Sequence, residues 1–574
     1  MKARLWCCLL AALAGCNSSG GGACRDGETS CSEDGRFLSV CAQGQWQATD
    51  CMAEQGRLCQ NGACVDPWRY DSPVFSRCPD EPAATLESLR EKAAFFDDIA
   101  RRLHIHPELK WIAPVDLPCD GADCTRPGVS QDHATHQDVL TWHTGENDGL
   151  WSALYLASQA FRYGATRDPQ ALATIRVLLA GEADRMAITG TRGIFTRQLV
   201  PPGVAGISCP SELSSYVPDA EKDDNRWVRV NEAGCVEVVD AGTMTWRATD
   251  HCGLARFAGY CFLDNVSRDE YAGHMLALGA LAKLVDDPEV QATVADLLAQ
   301  VCDALVDTRL LLEDWDGRPV EHGTFYAMSL DEFPGFNAAM AMDFLKMCAE
   351  VTKNAKFADF YDNCLLQKGG VRDCLQRPSE TPRPYTEYLP QSGMYVGAGN
   401  CGTNWNNISM HFCSLHNLIW FERDPAVREA VQAHLAEIFD PPAGTPKAIR
   451  DQNNAWFDFT FAAHKRLGPG STGPAYAAVE NGICMLRQFP ARKHRRAVTC
   501  PPDKCQPVCT GRLGEDLSDY PRPVSERCVR QFVWWANPYD VRGCEEDLRR
   551  IEPPTDYLLA YWMGRYYGFI PEDL

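Results

Sequence analysis

The sequence predicts an all-α protein: an (α/α)6 toroid with long disulfide-rich loop insertions, preceded by a small cysteine-rich module. Three observations predict it. Apolar residues recur at helical spacing in about twelve segments across residues 85–574, in pairs joined by loops. Most of the eighteen cysteines in that region lie in the insertions between the segments. Six more, Cys24, Cys31, Cys41, Cys51, Cys59 and Cys64, crowd into one short stretch with few aliphatics, which disulfides must hold in place of a core. Six helical hairpins closed on themselves bury their inner helices on both flanks. They leave a cavity at one end, where inter-hairpin loops supply the chemistry.

In chain order, Lys2 and Arg4 precede an apolar run from Leu5 to Ala14. These are the n-region and h-region of an export signal, too short to span a bilayer. The run ends in Leu13-Ala14-Gly15-Cys16, which resembles a bacterial lipobox. The resemblance implies loss of residues 1–15, lipidation of Cys16 and a mature protein tethered to the membrane through its N-terminal lipid. Asn17, where Asp would signal retention, implies the outer membrane, on its periplasmic or cell-surface side. A plain secretory signal is the other reading. No later run reaches the ~18 apolar residues of a membrane-spanning helix. Losing Cys7 and Cys8 with the leader and Cys16 to lipid leaves 25 of the 28 cysteines, an odd number, so at least one thiol lacks a partner within the chain.

Residues 16–23 are Ser/Gly-rich and read as a flexible tether. Residues 24–65 form the cysteine-rich module, for which fifteen disulfide connectivities are open. Its Trp46 is expected to pack over a disulfide rather than stack on a sugar, and its spacings lack the paired C-x2-C of a zinc site. Residues 66–84, with Pro67, Pro73, Pro79 and Pro82, form a linker. The helical domain, 85–574, follows. Its predicted helices are Leu86–Leu103, Gly149–Tyr163, Pro169–Ala187, Glu270–Val285, Glu289–Val306 and Asn337–Val351. Then come Ala355–Leu366, Ile408–Glu422, Ala426–Ile438, Asn453–Lys465, Gly473–Arg487 and Thr555–Tyr567. Asp168-Pro169, Asp287-Pro288, Asp424-Pro425 and Gly473-Pro474 each place proline in a first turn. Of the insertions, Ile194–Cys261 alternates like β-hairpins at Trp227–Val230 and Val236–Val239. Gly369–Thr403 is a second insertion. Lys493–Glu546 reads as an excursion held by Cys500, Cys505, Cys509, Cys528 and Cys544. Cys252, Cys261, Cys401 and Cys413 are expected to pin rim loops.

Composition restricts function. Net charge is −22, which argues against nucleic acid as a partner. Arg492 to Arg496 is the one basic cluster and reads as an exposed loop. No Gly-rich phosphate loop or dinucleotide fingerprint is present, and no cofactor is predicted. His133, His136 and His143 lack the spacing of a zinc helix, and Asp314-Trp315-Asp316-Gly317 lacks the twelfth-position Glu of a calcium loop. No metal is predicted; Asp316-Gly317 reads as a hairpin turn.

Three acidic-aromatic helix starts stand out. They are Glu146-Asn147-Asp148-Gly149-Leu150-Trp151, Asp264 through His274, and Asn404 through His411. With the C-terminal Asp556 to Tyr566, they resemble the inner-helix starts of bacterial six-hairpin glycosidase-like proteins. The resemblance is diffuse, runs from about Leu86 to the C-terminus, and implies a carbohydrate ligand or substrate. Glycoside hydrolysis needs two carboxyl groups about one bond. The preferred pair is Asp148 with Asp269, each just before a helix; Glu146, Asp264 and Glu270 are the further candidates. Trp142, His143, Trp151, Tyr271 and His274 beside them, and Asn404, Asn407 and His411 at the third start, are candidate sugar contacts. Each carboxylate has ordinary N-capping as its alternative. Two other functions stay open: a non-catalytic glycan-binding or structural lipoprotein, and a polysaccharide lyase using His322, Tyr385 and the asparagines.

Overall fold

The computed structural model describes residues 24–31, 37–51, 58–60, 62–65, 88–120, 126–217, 225–329, 333–378, 380–464 and 473–574. The expected leader, Cys16, the tether and the linker lie outside the described residues. Residues 24–65 belong to one compact unit and the helical segments to a second.

In the first unit, Thr29–Cys31, Phe37–Ala42 and Gln45–Asp50 form an antiparallel sheet, and Leu58–Gln60 pairs with Ala63–Val65. The disulfides are Cys24–Cys41, Cys31–Cys59 and Cys51–Cys64. Trp46 sits in register with Cys41 but stays 41% exposed, so it is not the buried disulfide cover expected of it.

The second unit holds twelve α-helices among the described residues. They are α1 (Leu89–Ile99), α2 (Asp148–Thr166), α3 (Pro169–Ala187), α4 (Arg268–Leu284), α5 (Pro288–Asp307) and α6 (Pro334–Thr352). After them come α7 (Ala355–Asp359), α8 (Trp405–Phe421), α9 (Pro425–Phe439), α10 (Ala455–Ala463), α11 (Pro474–Gln488) and α12 (Thr555–Tyr566). Their starts are local chemistry. Ser88 and Glu91 make a reciprocal capping box on α1. Asp168, Asp287 and Asp424 accept backbone N–H groups ahead of Pro169, Pro288 and Pro425.

Burial alternates along the chain. The helices α2, α4, α6, α8, α10 and α12 are buried over nearly their whole surface, whereas α3, α5, α9 and α11 bury one stripe. This follows the sequence: α10 reads AWFDFTFAA, with no solvent face, while α5 keeps Gln, Asp and Thr on one side. Gly273 lets α2 and α4 close on each other, since a Cβ there would lie 2.9 Å from the Leu150 carbonyl oxygen. At the other end of the series, α12 meets α2 through Phe161 and Tyr566, 5.7 Å apart. It meets α1 as well: the Trp562 indole donates to Asp97 at 2.9 Å and the Tyr557 hydroxyl to the Leu89 carbonyl at 2.9 Å.

The chain is not purely α. The insertion after α3 makes a five-stranded antiparallel sheet ordered Gln198–Val200, Cys261–Leu263, Trp227–Val230, Cys235–Asp240, Thr245–Cys252. Val228, Val230, Val236 and Phe262 turn one face of it into a small core of its own. A four-stranded sheet joins His494–Arg495, Asp547–Ile551, Val115–Asp116 and Thr141–Trp142, which are far apart in sequence. Leu311–Glu313 and Pro319–Thr324 pair around the Asp316-Gly317 turn.

Cys261 pairs with Cys209, Cys252 with Cys235 and Cys401 with Cys509. Cys413 does not pin a loop: it is buried on helix α8 and is the free cysteine among the described residues. The basic cluster is also not a loose exposed loop. Lys493 is buried on Asp556, Arg492 pairs with Asp132 and Arg495 with Glu552.

Candidate functional site

The starts of α2 and α8 and the Lys493–Glu546 excursion enclose a cavity of about 700 Å3. Asn147 lines it from the residue before α2, and Thr403, Asn404, Trp405 and Asn406 from the start of α8. Asn404 caps α8, its side-chain oxygen accepting the Asn406 and Asn407 N–H groups at 3.1 and 3.2 Å. That cap aims the Asn406 amide at Asp269, on the first turn of α4, whose carboxylate it reaches at 2.5 Å. Trp151, on the first turn of α2, stacks on Phe532 at 5.8 Å and meets Trp535 edge-on at 5.1 Å. Trp535 lines the cavity.

A second set of ionisable groups is interior. Asp148 is 1% exposed, and both its oxygens lie 3.0 Å from the Gly145 N–H. Burial pushes its carboxyl up to about 7, against the pull of Arg185. Glu270 is fully buried and accepts the Leu150 N–H at 2.8 Å. Burial drives its carboxyl well above the usual range; Arg197 and Arg185 oppose the shift and Asp148 adds to it. His274 stands between two carboxylates, with Nδ1 2.5 Å from Glu182 and Nε2 3.7 Å from Glu270. Its ring stacks on Phe195 at 4.1 Å. Gly149 makes this approach possible: a Cβ there would lie 2.2 Å from the Glu270 carboxylate. Arg197 laces two helix starts together, donating to the carbonyls of Glu146 at 3.0 Å and Asn265 at 2.6 Å.

The predicted residues therefore divide. Asp269 and Asn404 are at the cavity or tied to its lining, and Trp151 packs on its aromatic wall. Asp148, Glu270 and His274 form the interior set. The remaining candidates have structural work. Asp264 is held by Arg226 at 2.9 Å, Arg318 at 3.1 Å and the Trp315 indole at 3.1 Å, so its charge is already neutralised. Tyr271 is fully buried with its hydroxyl on the Gly193 carbonyl, and no face is left for a sugar. Trp142 is 3% exposed in the four-stranded sheet, and His143 pairs with Asp116 at 2.9 Å. His411 is fully buried against His434, 2.9 Å between ring nitrogens, and burial lowers its pKa well below the ordinary value. Asn407 is buried, and Glu146 is exposed without lining the cavity. The lyase residues do not converge there either. Tyr385 is buried, accepting the Ala327 N–H, and His322 is on an exposed strand.

Sequence reading missed the opposite wall. Arg512, Arg522, Arg527, Arg530 and Arg542 line the cavity from the excursion, with Glu515 and Asp540. The signal present was the density of arginine between the excursion's cysteines.

No family model matches the chain, and no curated protein matches it. Among solved structures it is similar to the GH76A α-1,6-mannanase of Salegentibacter sp. HEL1_6, at 10% identity over 84% of this chain and 99% of that one, with a TM-score of 0.35. It is similar to the cellulase Cel9M of C. cellulolyticum at 9% identity over 85% and 100%, TM-score 0.36. The polysaccharide lyase BACCELL_00875 gives 10% identity over 74% and 91%, TM-score 0.29. A likeness of this size assigns no role to any residue here.

Proposed function

We propose that this protein binds an oligosaccharide in the cavity and hydrolyses a glycosidic bond there, with Asp269 as the ionised carboxylate and Asp148 as the proton donor. The reaction needs one carboxyl group that keeps its proton and one that does not. Burial gives Asp148 the first property, since a pKa of about 7 leaves it partly protonated at neutral pH. Asp269 stands in the first turn of α4 and accepts the Asn406 amide. Glu270 and His274 act as positioning residues for the start of α2. The observation that carries this reading is one of placement. Asn406, bonded to Asp269, and Asn147, next to Asp148, line one cavity that also presents Trp405 and Trp535. Flat aromatic faces with convergent amides suit sugar rings.

The test is release of reducing ends from a polysaccharide panel. Asp148→Asn and Asp269→Asn should each lower kcat by roughly 100-fold or more; full activity in either variant sinks that residue's role. A second reading, glycan binding without turnover, is favoured by the 1% exposure of Asp148 and the hold of Gly145 on both its oxygens. It expects binding with no reducing ends released.

We infer further that α12, returning to α1 and α2, closes the six inner helices as a toroid, with the module 24–65 and linker 66–84 ahead of it. Loss of the leader and lipidation of Cys16 then hold the protein at a bacterial outer membrane. Incorporation of labelled palmitate in a bacterial host, abolished by Cys16→Ala, checks the anchor.

A further inference from the structure

We propose that the cavity is built for an anionic oligosaccharide, one whose sugar units carry carboxylate or sulfate groups. This rests on reading the cavity as a carbohydrate site and names the substrate class. The chain as a whole has 55 Lys and Arg against 77 Asp and Glu. The cavity inverts that balance, with five arginines lining it against two carboxylates.

The two carboxylates do not neutralise the five. Asp540 is taken by Arg542 at 2.6 Å. Glu515 is turned to the Leu513 N–H at 2.8 Å. Arg522 and Arg527, each 4% exposed, rest on backbone carbonyls instead of carboxylates. Arg522 donates to the carbonyls of Asp540, Arg542 and Glu526. Arg527 donates to those of Arg522, Gln452 and Asn453. Carbonyl groups solvate a guanidinium but carry no net charge, so the positive field persists toward the cavity. Burial, and then the neighbouring Arg522, lower Arg527 to about 9. Arg512 and Arg530 are exposed and form no ion pair among the described residues.

A second observation points to an acceptor-rich ligand. Cavity-lining residues carry side-chain N–H donors that find no acceptor among the described residues: Arg522 Nε, Arg527 Nη1, Asn537 Nδ2 and the indoles of Trp405 and Trp535. Every one is a donor. Guanidinium pairs recognise carboxylate and sulfate oxygens. A neutral glycan would use the amides and tryptophans but leave the arginine field unanswered.

The experiment measures binding by calorimetry to matched pairs: oligogalacturonate and its methyl ester, and a sulfated galactan oligosaccharide and its desulfated form. The proteins are wild type and Arg512→Gln/Arg530→Gln, a double variant whose exposed side chains make no ion pair among the described residues and whose unchanged melting temperature confirms folding. The expected result is binding of at least one charged member, about tenfold or more weaker for its neutral partner and for the double variant, and weakened by added salt. The member bound distinguishes carboxylate from sulfate. Equal affinity for the neutral partner, unchanged affinity in the double variant, or no binding across the panel at millimolar concentration overturns the inference. Reducing-end release is scored separately. Binding without cleavage removes hydrolysis and leaves this inference standing, whereas cleavage of neutral members alone does the reverse.

Discussion

Replacing Lys493 with methionine should destabilise the protein by about 3–5 kcal/mol. Lys493 and Asp556 are 2% and 0% exposed. The ammonium lies 2.8 and 3.0 Å from the two carboxylate oxygens and 2.9 Å from the Arg530 carbonyl. Asp556 also accepts the N–H groups of Val533 at 3.1 Å and Tyr557 at 3.0 Å. Methionine keeps the apolar stem and deletes the charge, so Asp556 is left ionised, buried and served by two neutral donors. Breaking one side of such a pair is what sets the 3–5 kcal/mol scale. An unfolding entropy near 2.1 cal/mol/K per residue over roughly 490 residues is about 1 kcal/mol/K, so the melting temperature should fall by about 3–5 °C. Lys493→Met/Asp556→Asn removes the stranded charge and keeps an acceptor for Val533, and should recover more than half of the loss. Burial already raises the Asp556 carboxyl in the folded state. Protonation at low pH therefore relieves the single variant, and its deficit should shrink as pH falls. Scanning calorimetry on the oxidised protein at pH 7 and pH 4 reads all three quantities. A single variant within about 1 °C of wild type at pH 7, or a double variant no more stable than the single, would refute the reasoning.

The remaining predictions concern the interior set and the free thiol. If Asp148 donates the proton, kcat/KM should fall as pH rises through about 7, and the limb should vanish in Asp148→Asn along with most of the activity. The same group predicts a stability slope. Its folded pKa lies above the unfolded value of 3.8, so its stabilising contribution is full at low pH and is lost as pH rises from about 4 to about 7. Denaturant midpoints of Asp148→Asn should therefore gain on wild type between pH 5 and pH 8. Gly149→Ala forces a Cβ to 2.2 Å from Glu270 and should cost about 1–3 kcal/mol by the same calorimetry. Cys413 is buried and its thiol is pushed up by burial. Iodoacetamide should spare it in the native protein and label it in denaturant, and the label should disappear in Cys413→Ser.

The helices were legible because their signals are local. Pro169–Ala187 was read to the residue from an Asp-Pro start and a 3.6 period. The ends were less so: the described part of the stripe, from Ser88 on, is α1 followed by a π-helical turn, Ala100–His104, and a hydrophobic stripe does not distinguish the two. The alternation in Ile194–Cys261 gave strands but not their union in one sheet, because strand order is set by pairings such as Arg229 with Cys261 across the insertion. The site was half legible. Asp269, singled out from its helix start alone, is tied to the cavity lining through Asn406. Asp264 shows the same local pattern, yet Arg226 and Arg318, 38 and 54 residues away, claim it. Whether a polar residue faces a cavity or a partner is decided by such distant groups, and a single sequence does not mark them.

The distribution of cysteines follows from what the cavity wall contains. A wall bearing five arginines is a poor hydrophobic core, and Arg522 and Arg527 repel each other as well as losing water. Backbone carbonyls satisfy part of their hydrogen bonding but add little packing. The excursion needs another constraint, and covalent links supply it. Cys401–Cys509 ties it to the segment just before α8, while Cys500–Cys505 and Cys528–Cys544 close it on itself. The first of these spans 108 residues of chain, the range in which a cross-link removes on the order of 4–5 kcal/mol of unfolded-state entropy. That is the scale needed to hold one buried cationic side chain in place without a carboxylate partner. The cross-links thus let the wall keep more arginines than carboxylates, the balance an anionic glycan would recognise.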